Sequence, residues 1–280
     1  MKNNSIIVLS GGHTTSLQDI GRYGYQDKGI PPSGIINSNE MFIANKLVGN
    51  KLDTEVLEIF FNGPSVEINS DYILMALVGS RWSYLNITNK NKMIRSGRSV
   101  LLERGDKVKI ILNHSAIVSI LAVSGGFNVK DIMNSKSTNP IISLGGFEGG
   151  FLKNNMILNL KKSFKKSDLK TKIISNSPRD KRINFLRVIL GPHKEYFLES
   201  AIKKFFNTKW IVTKEINRMG IRLEGESLGL NFGKDILSDG NQNGSIQISH
   251  NGKPIILLPD RGTTGGYPKI ATIISADIIT

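Results

Sequence analysis

A ten-residue run near the end of the sequence, 260–269, holds the densest group of side chains that could do chemistry. It combines charged residues, hydroxyl groups, a tyrosine and three glycines, a polar density that a core strand does not need. Glycine allows the backbone to approach a ligand closely, and consecutive exposed N–H groups bind anions. We therefore treat this run as the first candidate for a functional loop. Its candidate site residues are Arg261, Thr263, Thr264, Gly265, Gly266, Tyr267 and Lys269.

A pair of arginines, Arg218 and Arg222, lies four residues apart in a strand-like segment. Even spacing places both side chains on one face of a strand, and two guanidinium groups on one face suit a carboxylate or a phosphate. The alternative is that both arginines form structural ion pairs with nearby acidic residues. The candidate partners for such pairs are Glu224, Glu226 and Asp239.

An N-terminal segment also concentrates polar side chains. Gln18, Asp19 and Arg22, followed by Gln26, could line a polar pocket. The same segment could equally be a hydrogen-bonded loop that closes the end of a barrel, with Asp19 paired to Arg22. The spacing of these residues does not choose between a site and a scaffold.

Two glycine pairs, Gly125-Gly126 and Gly145-Gly146, follow strand-like or loop segments. Such pairs can present backbone amides to an oxyanion or a phosphate, although Gly-Gly is also a common tight-turn device. The phosphate-binding pattern GxxxxGK[ST] is missing. The four histidines lack metal-binding spacing, and the absence of cysteine excludes thiolate zinc sites and a thiol nucleophile. We expect no metal site.

The chain is strongly basic, with a net charge of +14 over 280 residues. Half of that charge lies in the segment 161–182, where nine basic residues stand against two acidic ones. Basic clusters can mark nucleic-acid binding, but a general drift towards lysine and asparagine explains this one as well, and we expect a solvated connector. No apolar run reaches the roughly 20 residues of a membrane helix, and the N-terminal apolar run is too short for a signal peptide. We expect a cytoplasmic protein that binds neither nucleic acid nor membrane.

Short runs rich in β-branched residues dominate the chain and predict strands. Helical periodicity is confined to Ser38–Val48, with Ser38 as the candidate N-cap, and to 194–206. Many strands with two helices predict a mainly β, barrel-like fold. The predicted strands are 6–9, 56–61, 73–77, 100–102, 108–112, 117–123, 186–190, 210–212, 246–248 and 255–258. The predicted domains are an N-terminal β subdomain at 1–160, a basic linker at 161–182 and a C-terminal β subdomain at 183–280.

Taken together, the motifs resemble one family. Their order is similar to that in the carboxyltransferase-like subunit 2 of allophanate hydrolase, a group also called KipA or the C subunit of bacterial 5-oxoprolinase (PxpC). The resemblance runs from about residue 5 to the last residue. The motifs that carry it are TSLQDIGRYGYQ, PPSG, SGGF, LGGFEG, LRVILGPHKEYF, NRMGIRLEG and DRGTTGGYPKIATIISAD.

The resemblance implies cyclophilin-like β-barrel halves and a multi-subunit enzyme. The implied partners are a KipI-like B subunit and a LamB/YcsF-like A subunit. The implied activity is that of an ATP-dependent 5-oxoprolinase, which opens the lactam of 5-oxo-L-proline to give L-glutamate, with ATP bound by the complex and no biotin attached to this chain. The family also leaves two other functions open: a regulator that binds a KipI-like kinase inhibitor, and a urea- or allophanate-type carboxyltransferase subunit.

For that activity, the resemblance implies a site that holds a carboxylate, neutralises phosphate and stabilises an oxyanion. We expect Arg218, Arg222 and Arg261 to supply the positive charge. We expect the remaining candidates to form the walls: a cradle from Thr263, Thr264, Gly265 and Gly266, a side wall from Gln18, Asp19 and Arg22, and an edge from Tyr267 and Lys269.

The sequence departs from the family pattern in three places. Gly262 stands where a glutamine usually precedes the two threonines, and Gly150 stands where an arginine often follows the LGG-EG motif. Family members also continue through another strand beyond the SAD motif, so we expect the C-terminal subdomain to be truncated.

Overall fold

The chain folds into two compact units in the computed structural model. Unit 1 takes Met1–Arg22 and Ser33–Arg182, and unit 2 takes Tyr23–Pro32 and Ile183–Thr280. The basic segment predicted as a linker therefore groups with unit 1. The residues that the structure describes are 4–79, 82–113, 117–174, 185–230 and 236–278.

Unit 1 is built from two antiparallel sheets. Its strands are β1 (Ser5–Ser10), β2 (Thr14–Gln18), β3 (Val56–Phe60), β4 (Ser65–Asn69), β5 (Tyr72–Val78), β6 (Tyr84–Ile87), β7 (Lys92–Arg95), β8 (Arg98–Glu103), β9 (Lys107–Ile111), β10 (Val118–Val123) and β11 (Ile157–Asn159). The first sheet has the order β11-β1-β4-β9-β6-β7, and the second has the order β2-β3-β10-β5-β8. The first helix, α1 (Ser38–Val48), also belongs to this unit.

The alternating side chains of β5 explain why unit 1 has two apolar layers. Because successive residues of a strand point to opposite faces, Ile73, Met75 and Leu77 join the core that the strands of both sheets share. Leu74 and Ala76 face the other way and pack under α1. A strand that is buried on both faces reads as a continuous apolar run, which is how the sequence of β5 reads.

The bounds of α1 match the predicted helix, but its cap differs from the prediction. The N-cap is Asn37, whose side chain accepts a hydrogen bond from the backbone N–H of Glu40 at 3.1 Å. Ser38, the predicted cap, is the first helical residue. The C-cap that follows Val48 is Gly49, whose φ of 77° is left-handed and favours glycine.

Unit 2 contains a six-stranded antiparallel sheet and a two-stranded ribbon. Its strands are β12 (Val188–Leu190), β13 (Ile211–Asn217), β14 (Gly220–Glu224), β15 (Asp239–Gly240), β16 (Ser245–Ile248), β17 (Pro254–Leu257), β18 (Thr264–Gly265) and β19 (Lys269–Ile273). The large sheet has the order β12-β19-β16-β17-β14-β13, and β15 pairs with β18. Two helices complete the unit, α2 (Glu199–Asn207) and α3 (Ser275–Ile278).

The predicted helix at 194–206 is only partly helical. A 3₁₀ turn occupies Lys194–Tyr196, and α2 begins later, at Glu199. Leu198 separates the two because its backbone is extended. Ala201 and Phe205 of α2 are buried in the core of unit 2, as their spacing predicts.

The prediction of a mainly β fold with few short helices is confirmed. Each predicted strand segment overlaps a strand of the structure. Among the strands that the sequence did not predict, β7 and β11 are short and carry exposed side chains, whereas β2 and β19 are mostly buried. Within the described residues, no helix has the length and apolar character needed to span a bilayer.

Candidate functional site

A cavity of about 670 Å³ opens in unit 2 beside the glycine-rich loop. The strands β13, β14, β16 and β17 contribute its walls, and the loop between β17 and β19 crosses it. Several predicted site residues line this one cavity. They are Arg222, Arg261, Thr264, Gly265, Gly266 and Tyr267.

The loop is held in place by the short ribbon and by two amide side chains. Gly265 stands opposite Asp239 in the pairing of β15 with β18. Asn241 donates from its side chain to the carbonyl of Gly262 at 3.1 Å, and Gln247 donates to the side-chain oxygen of Asn241 at 3.1 Å. Asn241 and Gln247 both line the cavity, so its floor is an ordered amide network.

Gly265 has a packing reason to be glycine. A Cβ atom at this position would lie 2.9 Å from the side-chain nitrogens of both Asn241 and Gln247. That distance is shorter than real Cβ contacts allow, so a side chain here would push the two amides apart. The sequence predicted close approach of the backbone to a ligand, and the structure shows close approach to these two amides.

Arg261 is the buried cation of the cavity wall, with only 7% of its surface exposed. Its Nε donates to the carbonyl of Asn241 at 3.2 Å, and its Nη1 lies 3.5 Å from the carbonyl of Leu258. Among the described residues, no carboxylate forms an ion pair with it. Burial lowers the pKa of the Arg261 guanidinium, while Tyr23 and Asp260 act in the opposite sense. A desolvated cation without a bonded carboxylate is suited to receive an anion.

Arg218 has a different role from the one predicted. It lies in the turn between β13 and β14, so it does not share a strand face with Arg222. Its guanidinium makes a two-pronged ion pair with Asp260, at 2.7 Å from Nε and 3.0 Å from Nη2, and both residues are buried. Arg218 is not among the residues that line the cavity. Its charge is matched by Asp260, and the pair fixes the start of the loop.

Arg222 lies in β14 and does line the cavity. Its Nε forms an ion pair with Glu215 at 2.8 Å, and both side chains are exposed. The acidic residues proposed from sequence as partners of the two arginines are therefore wrong: the actual partners are Asp260 and Glu215. The proposed acidic residues bind lysines instead, in the pairs Lys253–Glu224, Lys204–Glu226 and Lys269–Asp239.

Lys269 was expected at the edge of the site, but its side chain is buried, with 2% of the residue exposed. Its Nζ binds Asp239 at 2.7 Å, which lowers the pKa of Asp239. Its backbone N–H donates to Nδ1 of His193 at 3.2 Å. Burial, and then the charge of Lys269, lower the pKa of His193. Lys269 thus anchors β15, the partner strand of the loop.

Three further loop residues differ in whether they line the cavity. Thr264 and Tyr267 line it, and the ring of Tyr267 meets that of His250 edge to face at 4.9 Å. Thr263 does not line it; its carbonyl accepts a hydrogen bond from the backbone N–H of Asn241 at 2.8 Å. Of the two threonines, it is therefore Thr264 whose hydroxyl the loop offers to a ligand in this cavity.

Gln18 and Arg22 are fully buried in unit 1. The side chain of Gln18 donates to the carbonyl of Thr138 at 3.0 Å, and Arg22 donates to the carbonyls of Ile132 and Ser137 at 3.0 and 2.9 Å. These bonds hold the segment 132–138 against β2. They match the scaffold interpretation of the N-terminal motif.

Asp19 binds the same segment. Its carboxylate accepts hydrogen bonds from the hydroxyls of Ser135 and Ser137 and from the backbone N–H of Lys136. Burial acts to raise the pKa of Asp19, but the hydrogen bonds outweigh it and the pKa is lowered. The cavity described above is lined by unit 2 alone, so a contribution of Gln18, Asp19 and Arg22 to an anion site stays a prediction.

The two glycine pairs use backbone amides within unit 1. The N–H of Gly125 donates to the side chain of Asn50 at 2.7 Å, and that of Gly146 donates to the carbonyl of Lys136 at 2.8 Å. A Cβ on Gly145 would lie 2.1 Å from the carbonyl oxygen of Ser137. These glycines allow close backbone packing, and the bonded amides are not available to an oxyanion.

No cluster of three or more metal-binding side chains occurs in the part of the chain that the structure describes. The lining of the unit 2 cavity carries the cations Lys214, Arg222 and Arg261 against one carboxylate, that of Glu215, so its net positive charge suits an anion.

Comparisons with known proteins identify the family to which the sequence motifs point. The family described as "Carboxyltransferase domain, subdomain A and B" matches residues 28–280. The chain belongs to this family. The resemblance found in the sequence is thereby confirmed.

Three relatives show how this carboxyltransferase-family chain compares with named proteins. It is 33% identical to the C subunit of 5-oxoprolinase from Escherichia coli, over 97% of this chain and 85% of that protein. It is 27% identical to urea amidolyase of Lachancea kluyveri, over 97% of this chain but only 16% of that protein. The crystal structure of K. lactis urea amidolyase superposes on all of this chain with a TM-score of 0.85 and 26% identity, and the match takes 18% of that chain.

Proposed function

We propose that this chain is a component of an ATP-dependent 5-oxoprolinase, which opens 5-oxo-L-proline to L-glutamate. The similarity to the C subunit of 5-oxoprolinase from Escherichia coli supports the assignment. The observation that carries it is Arg261, a buried cation without an ion-pair partner among the described residues, on the wall of a cavity of about 670 Å³. The carboxylate of 5-oxo-L-proline is the kind of anion that such a guanidinium binds.

The reaction needs activation because a lactam carbonyl is a poor electrophile. ATP, bound by the complex, supplies that activation by transferring its γ-phosphoryl group to the carbonyl oxygen. Water then adds to the carbon, the C–N bond breaks with a proton passing to nitrogen, and a second water releases phosphate. In this scheme Arg261 holds the substrate carboxylate, and the hydroxyl of Thr264 donates to the oxygen on which negative charge develops.

The direct test is reconstitution. The chain would be purified alone, with a KipI-like protein, and with both the KipI-like and the LamB/YcsF-like proteins. We expect glutamate and ADP to form only in the full set, and only when both ATP and 5-oxo-L-proline are present. A tight complex of the three proteins without turnover would support a regulatory role in place of the enzyme.

Carboxyl transfer is a second candidate, favoured by the family description and by the urea amidolyase relatives. A cavity with Arg261 would also suit the carboxylate of a carboxylated product. Supplying carboxybiotin and urea to the chain separates the two functions. Loss of the carboxyl group from carboxybiotin that depends on urea, without any turnover of 5-oxo-L-proline, would favour carboxyl transfer.

A further inference from the structure

A second cavity, of about 530 Å³, lies in unit 1 at the C-terminal end of α1. Its walls come from the end of α1, from β5 and from the basic segment that follows β11. Lysine is the commonest residue of its lining. The lysines are Lys51, Lys161, Lys162, Lys170 and Lys172.

The positive charge of this lysine cavity is mostly unmatched. Lys51, Lys162 and Lys170 have no ion-pair partner among the described residues. The one acidic residue of the lining, Asp168, bonds within its own turn, to the backbone N–H of Lys165 at 3.2 Å and the hydroxyl of Ser167 at 3.1 Å. The carboxylate of Asp168 therefore does not pair with these lysines.

The two remaining lysines hold the wall in place. Lys172 donates to the carbonyl of Lys46 in the last turn of α1 at 3.1 Å. Lys161 binds the buried carboxylate of Glu55 at 2.7 Å, and Lys136 binds the same carboxylate at 3.0 Å. Lys136 also lies 3.7 Å from the carboxylate of Asp131, so these two lysines are matched by two carboxylates and the unmatched charge of the cavity comes from the other lysines.

The cavity also has an apolar side, to which Phe164 and Leu169 contribute. The Phe164 ring and the stem of Lys162 lie close over Gly125, because a Cβ built there would be 3.1 and 3.2 Å from them. Gly125 has a φ of 80°, a conformation that favours glycine. The lining therefore combines an aromatic ring with several lysine side chains, a combination that fits a phosphorylated molecule with a flat apolar part.

We propose that the lysine cavity of unit 1 binds a small phosphorylated molecule. Ammonium groups bind phosphate as point charges, and here five lysines line one concave volume of a size that matches a small ligand. Nucleic acid would instead need an extended basic stripe with successive stacking rings. The proposal depends on unit 1 alone and does not rest on the proposed oxoprolinase function.

The test uses the full chain, with inorganic triphosphate and ATP as separate probes in isothermal titration calorimetry. We expect both to bind, and we expect about tenfold weaker binding between 0.05 and 0.5 M salt because salt screens exposed charges. The variant Lys51→Gln/Lys162→Gln/Lys170→Gln should lose at least about tenfold in affinity, in line with the loss of three phosphate contacts. Absence of binding by the unchanged chain would overturn the proposal.

A matched control removes the same charge elsewhere in unit 1. Lys92, Lys109 and Lys153 do not line the cavity, and none has an ion-pair partner among the described residues. The variant Lys92→Gln/Lys109→Gln/Lys153→Gln should keep its affinity within about twofold, since distant surface charges are screened. Equal weakening in both triple variants would show non-specific attraction, and tighter binding of single-stranded RNA than of either probe would point to nucleic acid; each result would reject the proposal.

Phe164→Ala separates the two probes. If the ring contacts the base, ATP binding weakens about tenfold while triphosphate binding is unchanged, as stacking on an aromatic side chain predicts. If ATP and triphosphate bind with equal affinity to the unchanged chain and also to Phe164→Ala, the phosphate groups alone are recognised. The ligand class then remains a phosphorylated small molecule.

Discussion

Two neighbouring residues of opposite charge, Asp260 and Arg261, have separate tasks in unit 2. Asp260 binds Arg218 across a sequence separation of 42 residues, and Arg261 faces the cavity without that carboxylate. Adjacent residues of a turn often pair with each other, so this separation is the reason that the charge of Arg261 is available. The available charge of Arg261 therefore depends on Arg218, although Arg218 does not line the cavity.

Arg261→Met tests the role of this cation. We expect kcat/KM of the reconstituted complex for 5-oxo-L-proline to fall by about 100-fold, mainly through a higher KM, because the charge-assisted hydrogen bond to the substrate carboxylate is lost. The thermal midpoint should change little, because burial already disfavours the charged guanidinium and methionine is well suited to the same space. Activity assays and thermal denaturation of the same preparation check both parts. A large drop in the midpoint with activity retained would make Arg261 structural.

Arg218→Met should have the opposite profile. Removing one partner of a buried pair leaves Asp260 as an uncompensated charge, at a cost of about 3–5 kcal/mol in the free energy of unfolding. Denaturant titration measures this loss. The double variant Arg218→Met/Asp260→Leu should recover most of it, because two apolar residues remove the unpaired charge. Failure of the double variant to recover stability would show that other contacts of Arg218 dominate.

At the scale of the element, α1 shows what local signals can predict. The apolar spacing of the segment predicted both ends of the helix correctly. The apolar face of α1 packs against β5, and Gly49 caps its C-terminal end. The cap was misassigned by one residue, since asparagine and serine stand side by side and both are good N-caps.

Asn37→Ala tests that cap. The N–H of Glu40 would lose its acceptor, and we expect a loss of about 1 kcal/mol in the free energy of unfolding. Asn37→Asp should cost much less, because aspartate accepts the same bond and favours a helix N-terminus. Ser38→Ala is the matched control for the cap assignment and should be nearly neutral. If Ser38→Ala costs more than Asn37→Ala, the cap is wrongly assigned.

Apart from Arg222, the candidate site was predictable only where one stretch of sequence builds it. The run 260–269 was found because its composition is unusual within ten residues. Asn241 and Gln247 were missed because each is an ordinary polar residue in sequence, and only strand pairing brings them under the loop. The same physical reason hid the partner of Arg218, since propensity and periodicity carry no information on contacts between distant segments.

At the scale of the whole molecule, a chain with a net charge of +14 gains further positive charge as acid protonates its carboxylates. Carboxylates with a lowered pKa keep their negative charge down to a lower pH. Asp19 is such a group, and it holds the segment 132–138 of unit 1 by several hydrogen bonds. The acid limit of stability should therefore depend on it.

The pH dependence follows from the direction of the shift. The folded-state pKa of Asp19 lies below its ordinary value of 3.8, so its contribution is fully present above that value and is lost as pH falls through the folded pKa. Asp19→Asn should therefore lower the thermal midpoint at pH 7, and its difference in midpoint from the unchanged protein should narrow as pH falls below the ordinary value of 3.8. Asp53→Asn, at an exposed position, is the control and should leave the profile unchanged. A constant difference between Asp19→Asn and the unchanged protein at every pH would contradict this account.

The close fit of Gly265 over the amides of Asn241 and Gln247 has a consequence for how the cavity can change over evolution. A side chain in place of the glycine would displace the amide ends of Asn241 and Gln247 and disturb the hydrogen bonds that order the floor. Thr264 is exposed, and Tyr267 is half-buried at the rim, where its ring contacts His250 and not these amides. New ligand preferences in descendants of this chain, or in laboratory libraries, should therefore arise at those two rim positions while the glycine and its amide bed persist.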